Sequence, residues 1–206
     1  MPANYLSAVS SGGARFIGSR RVRVAILALV LSPQRASAQS AQPYAAQLSV
    51  LFTTITAGNS RVSGAGLELQ QRFNRLYATE NFGAVSLGIG AQYTVHSKVQ
   101  DRLRIAGLFF EPRWVPATGS SNIFPYLSAR LAVQRLKGEF QFAEAGSTNG
   151  SAFGAGGGIA IKKTRALNLD VGVQIIRQQF GSIGALTFRP FTTYAAKIGV
   201  SLGYPR

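Results

Sequence analysis

Six ionisable side chains stand in stretches otherwise built from glycine, alanine, serine, glutamine and apolar residues: Glu68, Arg72, Arg130, Lys162, Asp170 and Lys197. Their chemistry is ionic pairing. In a low-dielectric interior an unpaired ion costs several kcal/mol, so each needs a counter-charge or water. Glu68 and Arg72 are four residues apart, roughly 13 Å along a strand, too far to meet. Partners must come from other strands: Arg130 for Glu68, and Lys162 or Lys197 for Asp170. His96 is the only histidine, next to Ser97 and close to Asp101. A nucleophile, a base and an orienting acid must touch to act as a hydrolase triad. Adjacent strand residues point to opposite faces, and no G-x-S-x-G turn is present. His96 therefore reads as a loop-edge histidine without a catalytic role and the chain as a non-enzyme, with lipid hydrolysis the remaining catalytic alternative. One histidine and no cysteine give no metal cluster. The run Gly154-Ala155-Gly156-Gly157-Gly158 lacks the strand–turn–helix setting of a phosphate loop, and reads as close backbone approach inside a strand. No cofactor is expected.

The elements that position these residues show themselves by a period of two. In the last segment Tyr194, Ala196, Ile198, Val200, Leu202 and Tyr204 alternate with Ala195, Lys197, Gly199, Ser201 and Gly203. The same rhythm runs through Val85–Val95, Leu127–Val133, Phe153–Ile161 and Leu167–Ile175, and through Gly66–Asn74, where Glu68, Gln70, Arg72 and Asn74 share a face. Gln47–Ala57 mixes parities. Leu103–Trp114 starts with Leu103 and Ile105 on the apolar outer face and needs a bulge near Gly107 to bring Phe110 and Trp114 to the same side. The total is eight strands, each near the ~9–11 residues of a tilted membrane strand.

Two barrels fit this count. A soluble lipocalin-like barrel turns its apolar parity inward; a membrane barrel turns it outward. The polar parity here is glycine-rich with occasional long charges, which suits a crowded lumen, and the apolar parity is unbroken and fringed by Tyr93, Phe153, Tyr194 and Tyr204. The membrane barrel is favoured.

Charge and the N-terminus agree with export. The 206 residues carry 22 Lys+Arg against 7 Asp+Glu, a net charge of +15, with 46% hydrophobic residues. That apolar content excludes a disordered basic tail, and the longest apolar runs are too short for a membrane helix. Residues 1–38 read as a cleavable signal peptide: Arg15, Arg20, Arg21 and Arg23, then Val24–Leu31, then Ala36-Ser37-Ala38 with cleavage after Ala38. Residues 39–206 form the barrel domain. An exported basic chain meets anionic lipid rather than nucleic acid.

At the last strand the chain resembles a known family, the small eight-stranded outer-membrane barrels of OmpA and OmpX type. Members end in an aromatic preceded by alternating apolar residues, and Ile198, Val200, Leu202 and Tyr204 are similar to that terminal pattern. The resemblance implies an all-β, antiparallel, up-and-down transmembrane barrel. It also implies recognition of these four residues by the outer-membrane assembly machinery.

An eight-stranded barrel has a lumen just wide enough to be filled by side chains. The expectation is a monomer plugged by its charge network, with a structural or surface-interaction role: envelope integrity, adhesion or loop-mediated recognition. A narrow porin-like pathway for small solutes or anions is the alternative. The outward links are expected at Asn59–Ala65, Ser97–Arg102, Leu136–Gly150 and Gln179–Arg189, and the return links at Tyr77–Asn81, Val115–Phe124 and Lys163–Ala166. Arg61, Lys98, Arg102, Arg135, Lys137 and Arg189 fall in or beside the outward links, where they are candidates to bind lipopolysaccharide phosphates.

Overall fold

The computed structural model describes residues 44–58, 60–98, 101–117, 122–140, 143–164 and 167–203. The signal segment with Ala36 and Ala38, and Tyr204 of the terminal pattern, lie outside these residues. Eight long strands follow one another: β1 (Tyr44–Ala57), β2 (Ser60–Thr79), β3 (Gly83–Lys98), β4 (Asp101–Val115), β5 (Ile123–Phe140), β6 (Ala143–Lys162), β7 (Leu167–Phe180) and β10 (Phe191–Leu202). A two-residue ribbon, β8 (Ser182–Ile183) with β9 (Leu186–Thr187), decorates the link between β7 and β10. Each long strand pairs antiparallel with the next, and β1 pairs with β10, so the sheet closes on itself. Closure leaves no backbone edge unpaired, the condition for a sheet to sit in lipid.

The period of two now has a direction. Leu48, Val50 and Phe52 of β1, Leu108 and Phe110 of β4, Leu131 and Val133 of β5, Val173 and Ile175 of β7, and Ile198, Val200 and Leu202 of β10 are exposed on the outside. The alternate residues, among them Gln47, Glu68, Arg72, Gln92, Arg130, Asp170 and Lys197, are buried inside. An apolar belt outside and ions inside is the arrangement of a membrane barrel, the inverse of a lipocalin. The mixed parity of β1 resolves in the same way: Ala45, Gln47, Ser49, Leu51, Thr53 and Ile55 all face inward, apolar or not. Below the belt, at the end of the barrel that holds both termini of the sheet, Trp114 Nε1 donates to the Phe82 carbonyl at 2.9 Å and Phe82 packs between Trp114 and Tyr77. Such amphipathic rings suit the headgroup level.

Two expectations need correction. First, β4 has no bulge near Gly107: its pairing with β3 runs without a shift from Lys98↔Asp101 to Ala84↔Val115. Leu103 and Ile105 point inward, where Ile105 joins an apolar cluster with Ile55, Leu136, Phe180, Ile183 and Phe191. Polarity contrast marks faces only where inside and outside differ, and at this end of the barrel both are apolar. Second, the strands run on through most of the segments expected as outward links. β1 and β2 are separated by residues 58–59, β3 and β4 by 99–100, and β5 and β6 by 141–142. At roughly 3.3 Å per residue and a tilt near 40°, a 20-residue strand rises about 50 Å, twice the ~25 Å apolar band of such barrels. The surplus stands above the belt at the end carrying these links.

Candidate functional site

The lumen is filled in layers, and the central layer is ionic. Glu111 of β4 is its hub, with a fully buried side chain. Arg72 Nη2 donates to Glu111 Oε1 at 2.8 Å, Arg113 Nη2 to the same oxygen at 3.3 Å, and Lys197 Nζ at 3.4 Å. The other oxygen, Oε2, accepts from Gln174 Nε2 at 2.8 Å and from the Arg130 guanidinium. Four cations on four strands thus converge on one carboxylate. Glu68 closes the layer, accepting from Arg130 Nη2 at 2.6 Å and from Lys197 Nζ at 3.2 Å. Arg130 also lies over the Phe109 ring and donates to Gln92 Oε1 at 2.9 Å.

A second group lies toward the terminal end. Asp170 Oδ2 accepts from Arg113 Nη1 at 2.6 Å, and Oδ1 from the Tyr126 hydroxyl at 2.8 Å, with the Arg113 guanidinium stacked on the Tyr126 ring. Glycine makes room for this ring. A Cβ on Gly172 or Gly158 would stand 2.5 or 2.6 Å from the Tyr126 oxygen, so neither position takes a side chain without moving it.

Of the six expected lumen ions, the structure brings Glu68, Arg72, Arg130 and Lys197 together around Glu111, and Arg130 meets Glu68 as anticipated. Asp170 pairs with Arg113, not with Lys162 or Lys197, which corrects that expectation. Lys197 is drawn instead to the two glutamates, and Lys162 lies half-buried at the terminal rim of β6, outside the cluster. The sequence does not point to Glu111 and Arg113 so long as Leu103 and Ile105 are read as outward. Extending the inward run Phe109–Glu111–Arg113 back through Gly107 would have found both.

Above the ions, a small polar layer includes His96, whose Nε2 is 2.8 Å from Thr53 Oγ1. Ser97 is exposed on the rim while His96 is buried, so the histidine cannot activate it. The apolar cluster of Ile55, Ile105, Leu136, Phe180, Ile183 and Phe191 caps this layer, with Leu103 and Phe188 packed against it. Among the described residues no group of three or more His, Asp or Glu is placed to hold a metal.

Outside, the rim is basic. Arg61, Lys98, Arg102, Arg135, Lys137 and Arg189 are all exposed. The register brings Arg102, Arg135 and Lys137 onto one outward face of β4 and β5, where Arg104, missed in the sequence, stands opposite Lys137 and Arg102 opposite Glu139. Glu139 is shared by Arg104 and Lys137, at 3.2 and 3.5 Å. Arg135 Nη2 donates to Ser147 Oγ at 2.7 Å. This face carries four cations to one carboxylate, directly above the apolar Leu108 and Val133 of the same strands. Arg61 and Arg189 lie elsewhere on the rim, on β2 and on the link before β10.

No family model and no curated protein matches this sequence. Solved structures do. Neisserial surface protein A superposes with a TM-score of 0.61 at 14% identity, over 81% of this chain and 100% of that one. Ail, the attachment invasion locus protein of Yersinia pestis, an outer membrane protein, gives 0.52 at 10% identity over 78% and 97%. Its complex with the heparin analogue sucrose octasulfate gives 0.53 at 8% over the same shares. The closed sheet, its apolar exterior and these superpositions agree that this chain has the fold of the small eight-stranded outer-membrane β-barrels of OmpA and OmpX type.

Proposed function

We propose that this protein is a closed outer-membrane barrel whose work is done at its surface, with a structural or adhesive role in the envelope and no solute pathway through its axis. Residues 1–38 act as its export signal, cleaved after Ala38. Ile198, Val200 and Leu202, outward on β10, together with Tyr204, present the terminal pattern to the assembly machinery. The inserted protein is a monomer with the long strand extensions outside the cell.

The observation that carries this reading is the doubly filled lumen: an ionic layer knotted at Glu111 and, above it, an apolar cap. An ion crossing the axis would have to break the first and dehydrate through the second. Conductance of the refolded barrel in planar bilayers is expected near background, also in Leu136→Ser, which opens the cap alone. A stable, large, anion-selective step in the wild type overturns the closed barrel in favour of the narrow channel.

The outward face of Arg102, Arg104, Arg135 and Lys137 supports a lipid contact. Its cations continue the outward faces of the strands that carry the exposed apolar Leu108 and Val133, and guanidinium binds phosphate bidentately. Replacing the four by Gln is expected to weaken binding to lipopolysaccharide by about 1 kcal/mol per charge at low salt. Surface plasmon resonance with lipopolysaccharide, and sucrose octasulfate as competitor, reads this out. Unchanged lipopolysaccharide affinity removes the contact from the proposal; competition by the sulfated sugar at the same residues marks the face as a general polyanion site.

A further inference from the structure

At the terminal end, below the ionic layer, the lumen holds a partly open vestibule with a cavity volume of about 70 Å³. Its walls are largely apolar, from Ala45, Ala84, Val115, Phe124 and Ala160, and its roof is Arg72, Arg113, Tyr126 and Asp170. The charges of the ionic layer do not balance on this side. Arg130 and Lys197 answer Glu68 and Glu111 at the centre. Arg72 and Arg113 then face the vestibule with Asp170 as the only carboxylate lining it among the described residues. Both guanidiniums are more than nine-tenths buried, and their Nη groups are used on Ser86, Glu111 and Asp170. A buried cationic pair that leaves four cations against the three carboxylates Glu68, Glu111 and Asp170, roofing an apolar-walled chamber, matches one kind of occupant: one negative charge to balance the surplus, and a compact apolar body to cover the alanine, valine and phenylalanine walls.

We propose that the vestibule binds a small organic monoanion, a carboxylate with a compact apolar body, held by Arg72 and Arg113 and entering from the end of the barrel that bears its termini. Asp170 opposes a second negative charge and so sets the preference for monoanions. The polar side chains Gln47, Asn74 and Ser201 at the mouth leave the route wet.

The test uses the refolded barrel in zwitterionic nanodiscs and para-trifluoromethylbenzoate as probe, followed by fluorine NMR against empty nanodiscs that report lipid partitioning. Saturable binding is expected, weakened about tenfold or more for the neutral para-trifluoromethylbenzamide, which lacks the charge-assisted bonds. Arg72→Gln is expected to weaken the carboxylate by a similar factor and leave the amide unchanged. Because that substitution also loosens the ionic layer, Ala84→Phe is the second variant: it fills the chamber from a wall position whose cross-strand neighbours are the uncharged Ala78 and Val115, and is expected to abolish binding in a barrel that still shows heat-modifiable migration. Binding no greater than to empty nanodiscs, equal affinity for acid and amide, or full binding to Ala84→Phe each overturns the proposal.

Discussion

Glu111→Gln is expected to cost about 3–5 kcal/mol of unfolding free energy, or to prevent refolding, because one neutralised carboxylate strands several buried cations. Arg72, Arg113, Arg130 and Lys197 all lie within ion-pair distance of it. The neutral amide retains shape and can still accept a hydrogen bond, so the loss reads charge rather than packing. Urea titration in lipid vesicles with heat-modifiable gel mobility measures it. Glu139→Gln is the control, since its partners Arg104 and Lys137 are on the wet rim, where such pairs contribute no more than about 1 kcal/mol. If the two substitutions cost the same, the ionic layer is not what holds the lumen together.

Leu131→Arg is expected to destabilise the barrel by about 2–4 kcal/mol in a bilayer, the cost of a lipid-facing cation within the apolar belt. Leu131 is 64% exposed, on a strand whose outward neighbours are Ala129 and Val133. The same change at an exposed site in water would stay within about 0.5 kcal/mol. Unfolding titrations of both forms in phospholipid vesicles separate these outcomes. A near-zero difference would mean that the outside of this barrel meets water.

How far the sequence could be read follows from where inside and outside differ. In β7 and β10 every inward residue from Asn168 to Gln174, and from Ala195 to Ser201, is small, polar or charged, and every outward one is apolar or, as Ala196, small. A period of two states the face, the register follows, and Glu68, Arg72, Asp170 and Lys197 fall inward without coordinates. In β4 the inward run is Leu103, Ile105, Gly107, Phe109, Glu111, Arg113. Four apolar or small residues precede the first charge, so the alternation is silent where it is needed, and the hub of the lumen went unseen. The strand ends failed for a related reason. Above the belt both faces of β5 and β6 become polar or small, as in Lys137, Gly138, Ser147 and Thr148, and composition alone cannot separate a paired extension from a loop. Which cation takes Asp170 was not legible at all, since it depends on how far Lys197 and Arg113 reach across the lumen.

The position of Lys197 on the final strand has a consequence for how the cylinder is completed. Until β10 lies against both β1 and β7, the two glutamates lack one of their cations, and an open sheet would leave the knot partly in water. The same strand that carries the terminal pattern therefore delivers the ion that bridges Glu68 and Glu111 in the middle of the barrel. Sealing the seam and completing the shell of cations around the two glutamates are one event.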